Sequence, residues 1–132
     1  MSFGYQQERL LEGADARAAI LNLNARHNRL LSAGDRARWA ATFKHTGATL
    51  TVSDRVYDRV WDAWEQLAEG SGRLVTVDHE IEVDGVNAVQ HCVVLRSGAP
   101  AGSAPLTGLF ADTLVYERGG WFYAGRVLTW DP

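Results

Sequence analysis

The stretch Arg73-Leu-Val-Thr-Val-Asp-His-Glu-Ile-Glu-Val-Asp-Gly85 decides the fold class of this chain. Val75, Val77, Ile81 and Val83 fall at alternate positions with His79 in their row, while Asp78, Glu80 and Glu82 fill the positions between. A period of two belongs to a strand with one covered face. Asp84-Gly85 is a turn signal, with Val86 and Asn87 extending the loop, and Ala88 to Ser97 reads as the returning strand. A Gly/Ala/Pro/Ser loop from Gly98 to Pro105 leads into Thr107 to Glu117. Gly119-Gly120 then turns the chain into a last strand, Trp121 to Trp130.

Upstream the period changes. Asp15 to Ala33 reads as a helix, with Asp15 as N-cap and Ile20, Leu23, Leu30 and Leu31 at helical spacing. Gly34 suits its C-terminal stop. Asp35 can cap a shorter helix through Trp39 and Phe43, and Ala48 to Val52 is short and β-prone. Val56, Val60, Trp61, Trp64 and Leu67 suggest a third helix ending near Gly70 and Gly72. Helices followed by hairpin-linked strands specify an α+β domain, with three helices covering one side of an antiparallel sheet. We read residues 1–132 as one domain, with 1–14 as an N-terminal extension.

Composition narrows the function classes. At 132 residues, with 46% hydrophobic and 22% charged side chains, the chain can build a core without metal or disulfide staples. A single cysteine, Cys92, excludes an internal disulfide. The net charge is −3 and the basic residues are scattered, so no nucleic-acid partner is expected. No apolar run approaches the roughly 20 residues of a membrane span. Met1 to Glu12 lacks the pattern of a signal peptide, and a cytoplasmic protein is expected. The four histidines and Cys92 show no paired ligand spacing, so no metal is expected. Phosphate-loop, nucleophile-elbow and dinucleotide motifs are missing, and no cofactor is expected.

In the last strand Trp121, Tyr123 and Val127 alternate with Phe122, Leu128 and Trp130, so both faces are apolar. A sheet with one covered face should alternate with polar residues. A homodimer through the open sheet face is the economical partner. The aromatic helices imply a pocket suited to a hydrophobic small molecule.

His27 lies on the apolar stripe of the first helix, flanked by Asn24 and Asn28. It reads either as a base or donor in a pocket or as a buried, hydrogen-bonded imidazole. His79 and His91 share faces with valines, as interface or core residues, unless a bulge reverses His79. Counting back from Gly119-Gly120 sets Asp112 opposite Arg126, as a cross-strand ion pair or with Arg126 free to hold an anionic or carbonyl group. Asp54 and Tyr57 fit either a pocket mouth or, for Asp54, a helix cap. Tyr123 fits a cavity phenol or core packing.

Arg26-His-Asn-Arg-Leu-Leu-Ser-Ala-Gly-Asp35, Trp39-Ala-Ala-Thr-Phe43 and Ala48-Thr-Leu50 resemble the opening of SnoaL-like proteins of the nuclear transport factor 2-like superfamily. Glu82-Val-Asp-Gly85, Ala88, Asp112-Thr-Leu-Val, Gly120-Trp121 and Arg126 are similar to its later strands. The resemblance implies a cone-shaped, cystatin-like fold around a pocket. In dehydratase and dehydrochlorinase members a first-helix Asp pairs with a His on the first long strand; the matching positions here hold Ser32 and Leu74. The ketosteroid isomerase set falls on His27, Val52 and the vicinity of Gly108. The Asp-Arg-Asp relay of limonene epoxide hydrolase finds no match. The resemblance therefore implies one of two functions. The first is a cofactor-independent lyase, isomerase or cyclase acting by proton transfer on a hydrophobic ring-containing small molecule; from the residues we read His27 and Arg126 as its catalytic groups and Asn24, Asn28, Ser32, Asp54, Tyr57 and Tyr123 as substrate-binding. The second is a non-catalytic binding protein or accessory subunit.

Overall fold

The computed structural model describes residues 2–68, 72–97, 102 and 104–132, with side chains from residue 13 onward. A long helix, α1 (Ser2–Ser32), is followed by the short α2 (Arg36–Ala40). The strands β1 (Thr49–Val52) and β2 (Arg55–Tyr57) form a small hairpin, and a 3-10 turn (Val60–Ala63) runs into α3 (Trp64–Ala68). Four long strands complete the chain: β3 (Arg73–Asp84), β4 (Asn87–Ser97), β5 (Leu106–Glu117) and β6 (Gly120–Trp130). They form one sheet in the order β2-β1-β6-β5-β4-β3. All pairings are antiparallel except β1 with β6, which run parallel. The helices pack on one face of this curved, unclosed sheet, giving the α+β arrangement expected.

Three local readings change. The helix expected from Asp15 is continuous from Ser2, so residues 2–14 belong to it and Asp15 is an interior, exposed residue. The Gln, Glu, Arg and Leu before it are good helix formers, which an Asp mid-helix does not interrupt. The third helix is confined to its second half. Ser53 takes a positive φ of 57°, folding residues 49–57 into a hairpin that leaves Val56 61% exposed and buries Tyr57. The expected stop at Gly70 and most of the loop Gly98 to Pro105 lie outside the described residues.

The largest change is a β-bulge. The register of β3 against β4 shifts between Val77 and Glu80, and Asp78 sits at a φ of 54°. An extra residue reverses which side chains face inward. Leu74 and Thr76 face the helices before the bulge, and His79, Ile81 and Val83 do so after it. Val75 and Val77 are turned to the outer face, 41% and 37% exposed. A second shift, between Thr113 and Leu114 of β5, does the same to β6. Trp121, Tyr123, Arg126 and Leu128 are all buried, which explains the two-faced apolar pattern of that strand.

The core centres on Ile20, Leu23, Trp39, Phe43, Leu50, Phe110, Tyr123 and Leu128. Trp39 packs edge-on against both Phe43 and Trp64. Among the described residues no helix is long and apolar enough to cross a membrane. Positive φ at a residue with a Cβ stores roughly 1–2 kcal/mol of strain, least for Asp and Asn and most for β-branched side chains, while Gly, without a Cβ, escapes it. Replacing Asp78 by Val should therefore lower unfolding stability by about 1–2 kcal/mol, with Asp78→Gly neutral or better, as measured by urea denaturation.

Candidate functional site

One row of residues crosses the inner face of the sheet. Ile81 pairs with Gln90, Gln90 with Asp112, Asp112 with Arg126, and Arg126 with Leu50. Strand alternation points all of these side chains at the helices. Three of them are polar, in a layer otherwise filled by apolar groups. Arg126 Nε lies 3.0 Å from Asp112 Oδ1, and both side chains are essentially inaccessible. The guanidinium is stacked between the rings of Phe110, 3.5 Å from its centroid, and Tyr123, at 4.4 Å. The approach is off-line, so the contact is an ion pair rather than a well-formed hydrogen bond. Burial pushes the Asp112 carboxyl up, while Arg126 and a hydrogen bond from Gln90 pull it back. A buried guanidinium cannot shed its proton, so the carboxylate stays ionised to meet it. Burial pushes the Cys92 thiol up to about 11, leaving it neutral.

Asp112 fixes its neighbours. Gln90 Nε2 donates to Asp112 Oδ2 at 2.8 Å, and an ionised carboxylate accepts only, so Gln90 must turn its Oε1 the other way. That oxygen receives Asn24 Nδ2 at 2.6 Å and lies 2.9 Å from His79 Nδ1. Asn24 Oδ1 accepts from Gln90 Nε2 at 3.1 Å and from the Tyr123 hydroxyl. Asn24 Nδ2 is also 3.3 Å from His79 Nδ1. With its Nδ1–H committed to Gln90, His79 keeps the lone pair on Nε2.

His79 lines a groove of about 410 Å³ between α1 and β3. Helix residues four apart face the strand and meet it in three rungs. Asn24 meets His79, Asn28 Nδ2 donates to Thr76 Oγ1 at 2.9 Å, and Ser32 Oγ accepts from the Leu74 amide at 3.4 Å. All six of these residues line the groove. Ser32 and Leu74, the positions that the resemblance matched to an acid–base pair, thus do meet, while Asn24 and His79 face each other two helical turns away.

The other expected site residues lie elsewhere. His27 is buried beside the groove and does not line it. Trp39 Nε1 donates to its Nε2 at 3.2 Å. Thr42 gives its own proton to the Trp39 carbonyl, so His27 Nδ1 donates to Thr42 Oγ1 at 2.8 Å. Both ring nitrogens are satisfied, and Trp39, Phe43 and Tyr123 enclose the ring. This is the buried alternative for His27, a neutral imidazole held well below its usual pKa by burial first and by Arg126 second. Tyr123 and Arg126 are also fully buried, outside the groove lining. Asp54 is exposed in the β1–β2 turn, and the Tyr57 hydroxyl donates to Gln66, so neither borders the groove. Val52 is core, and at Gly108 a Cβ would meet the Thr129 carbonyl oxygen at 2.5 Å, so no donor side chain fits there. His91 is on the outer face. Among the described residues no group of three or more His, Cys, Asp or Glu could hold a metal ion.

Sequence reasoning weighed His79 but set it at the interface or in the core unless a bulge reversed it, and a bulge has no clear sequence signature. It missed Gln90, whose parity with Cys92 and Val94 was readable.

The fold is that of the nuclear transport factor 2-like, or cystatin-like, proteins. The chain belongs to the SnoaL-like domain family, whose model matches residues 12–127. A protein of unknown function from Mycobacterium tuberculosis superposes with a TM-score of 0.77 at 24% identity, covering 95% of this chain and 75% of that one. A scytalone dehydratase-like protein from Novosphingobium aromaticivorans gives 0.74 at 19% identity, over 96% and 89% of the two chains. LinA gives 0.78 at 17% identity, over 96% and 90%. At these identities the likeness extends to the fold alone. No curated protein matches the chain significantly.

Because His27 stays neutral when folded, the unfolded chain takes up a proton first as the pH falls through the ordinary imidazole value of 6.5. Stability should then drop by up to about 1.4 kcal/mol per pH unit between about pH 6.5 and the lowered folded value. Asp112, raised by burial, titrates with the opposite sign, so the His27→Gln protein is the control. Urea denaturation across this window should give a steeper pH slope for the parent than for the variant; equal slopes would exclude the assignment.

Proposed function

We propose that the chain is a cofactor-independent SnoaL-like enzyme that transfers a proton on a small molecule held between α1 and β3, with His79 as the base. The observation that carries this is the chain Asp112–Gln90–His79, which fixes the tautomer of an imidazole lining the groove. In the proposed step His79 Nε2 removes a proton from carbon next to a carbonyl. The electron pair moves to the carbonyl oxygen or expels a leaving group from the neighbouring carbon. The imidazolium then returns the proton to product or departing group. The Asp112 carboxylate, one amide away, offsets the new positive charge; the two groups attract through space. One neighbour of this fold is dehydratase-like by name, and such a reaction is of this type. His27 and Arg126 act here as positioning residues, His27 by seating α1 on α2 and Arg126 by holding Asp112.

A second reading, binding without turnover, is favoured by Asn24. The resemblance implies a carboxylate beside the histidine, and an amide cannot supply its charge. Proton exchange into D2O from a panel of cyclic ketones, followed by NMR, separates the two. We expect exchange that falls at least about 100-fold in the His79→Gln protein. Exchange unchanged by that substitution would remove His79 from the mechanism, and saturable ligand shifts without any exchange would favour the binding reading.

We also propose that two copies pair through the outer sheet face. Val77, Val93 and Leu109 lie in one cross-strand row, beside Val75 and Leu95. Leu109 is 55% exposed, more than a lone chain needs to leave uncovered in an apolar patch. Analytical ultracentrifugation should give a dimer, and Leu109→Glu should give a folded monomer.

A further inference from the structure

We infer that the groove is built for a small organic anion that also carries a hydroxyl or N–H donor. The inference rests on the reading of the groove as the substrate site and names the class of molecule it takes.

The first observation is Asn28. The residue is 9% exposed, its Nδ2 is committed to Thr76, and its Oδ1 has no partner although it is buried. Leaving an acceptor buried and unmet is costly, and Asn28 is a lining residue of the groove. A ligand donor at the middle rung would satisfy it.

The second observation is charge. Arg29 on the helix wall and Arg73 on the strand wall line the groove, and none of its lining residues is acidic. Among the described residues neither arginine side chain makes an ion pair or hydrogen bond. Two arginines at the wall of a concave site without an acidic lining residue favour an anion, and Arg suits the planar fork of a carboxylate or the oxygens of a phosphate.

The rungs give a spacing. Asn24, Asn28 and Ser32 stand one helical turn apart, so about 6 Å of helix axis separates each rung. Arg29 and Arg73 belong to the end near Asn28, Ser32 and Leu74, while His79 stands at the other. An occupant would place its anionic group at the arginine end, a donor at the middle rung and its reacting carbon near His79. The expected ligand is therefore an elongated hydroxy acid or its amino counterpart, more polar than the aromatic-rich helices suggested. Trp39 and Phe43, which prompted that expectation, are spent on the core around His27.

Titration of the full chain by NMR with four probes tests this: 3-hydroxybenzoate, benzoate, 3-methoxybenzoate and methyl 3-hydroxybenzoate. We expect 3-hydroxybenzoate to shift α1 and β3 amides saturably. Benzoate and the methoxy compound should bind about 5- to 10-fold more weakly, the worth of one hydrogen bond. The uncharged ester should bind several-fold more weakly, a gap of about 3- to 10-fold that narrows with salt and disappears in the Arg29→Ala/Arg73→Ala double variant. Asn28→Ala should erase the hydroxyl preference. Equal binding of acid and ester would overturn the anion assignment, and a methoxy compound binding as well as the hydroxy acid would overturn the donor assignment. No saturable shift from any probe would overturn both. The same preferences should persist in His79→Gln, whose loss of proton exchange bears only on the catalytic reading; their loss in that variant would overturn the inference.

Discussion

The ion pair of Asp112 with Arg126 is the constraint on which the rest of the interior depends. Taking two charges out of water costs several kcal/mol each, and their attraction offsets this only with good supporting contacts. Here the support comes from ring faces and one amide, while the three guanidinium nitrogens and Asp112 Oδ1 have no hydrogen-bond partner among the described residues. Phe110 and Tyr123 cover the guanidinium faces, and Gln90 donates to the carboxylate oxygen that Arg126 does not approach. Asp112 and Arg126 restrain each other's position through cross-strand register, because each sits opposite the other in neighbouring strands. A change in either strand's register would separate the charges, so the pair also selects the sheet pairing.

From that anchor the orientation of two amides, Gln90 and Asn24, follows. An acceptor-only carboxylate determines Gln90, Gln90 determines Asn24 and the tautomer of His79, and Asn24 takes the Tyr123 proton. The chain leads from β6 through β5 and β4 to α1 and β3, and so bonds the helix to the sheet through polar groups. Polar seams pack less completely than apolar ones, since directional partners must be kept apart at hydrogen-bond distance. The groove lies along this seam, where α1 meets β3 in rungs. Around His27, where Trp39, Phe43 and Tyr123 meet, the same cone is filled.

Much of this was legible in the residues. The hairpin signals and the alternation of Arg73–Gly85 located the strands, and counting from Gly119-Gly120 found the pairing of Asp112 with Arg126. Asn24 and Asn28 were named because they flank His27 and Ser32 because it matches the family's first-helix Asp, and their spacing of four does set them on one face. What failed was parity. Asp78 at positive φ and the shift beside Thr113 each reverse the inward face, and nothing in residue type announces them. His79 was therefore assigned with Val75 and Val77, which in fact face outward. His27 was singled out for pointing inward, yet an inward histidine says nothing of whether its nitrogens are free. Trp39 and Thr42, which occupy them, lie on another helix and its following turn, beyond what periodicity can reach.

The insertion of Gln90 between carboxylate and imidazole has a chemical consequence. In a direct pair the carboxylate both orients the ring and lends it full charge at contact distance. With an amide between, orientation is kept, because Gln90 is held rigidly by Asp112, while the Coulomb attraction falls with the added separation. The negative charge is also shared with Arg126, which lies closer to it than His79 does. The site therefore controls where a proton sits more firmly than it stabilises the charge that a transferred proton creates. A substrate bringing its own anion to the arginine end would not restore that charge near the ring, so chemistry here would favour carbon acids already activated by a carbonyl.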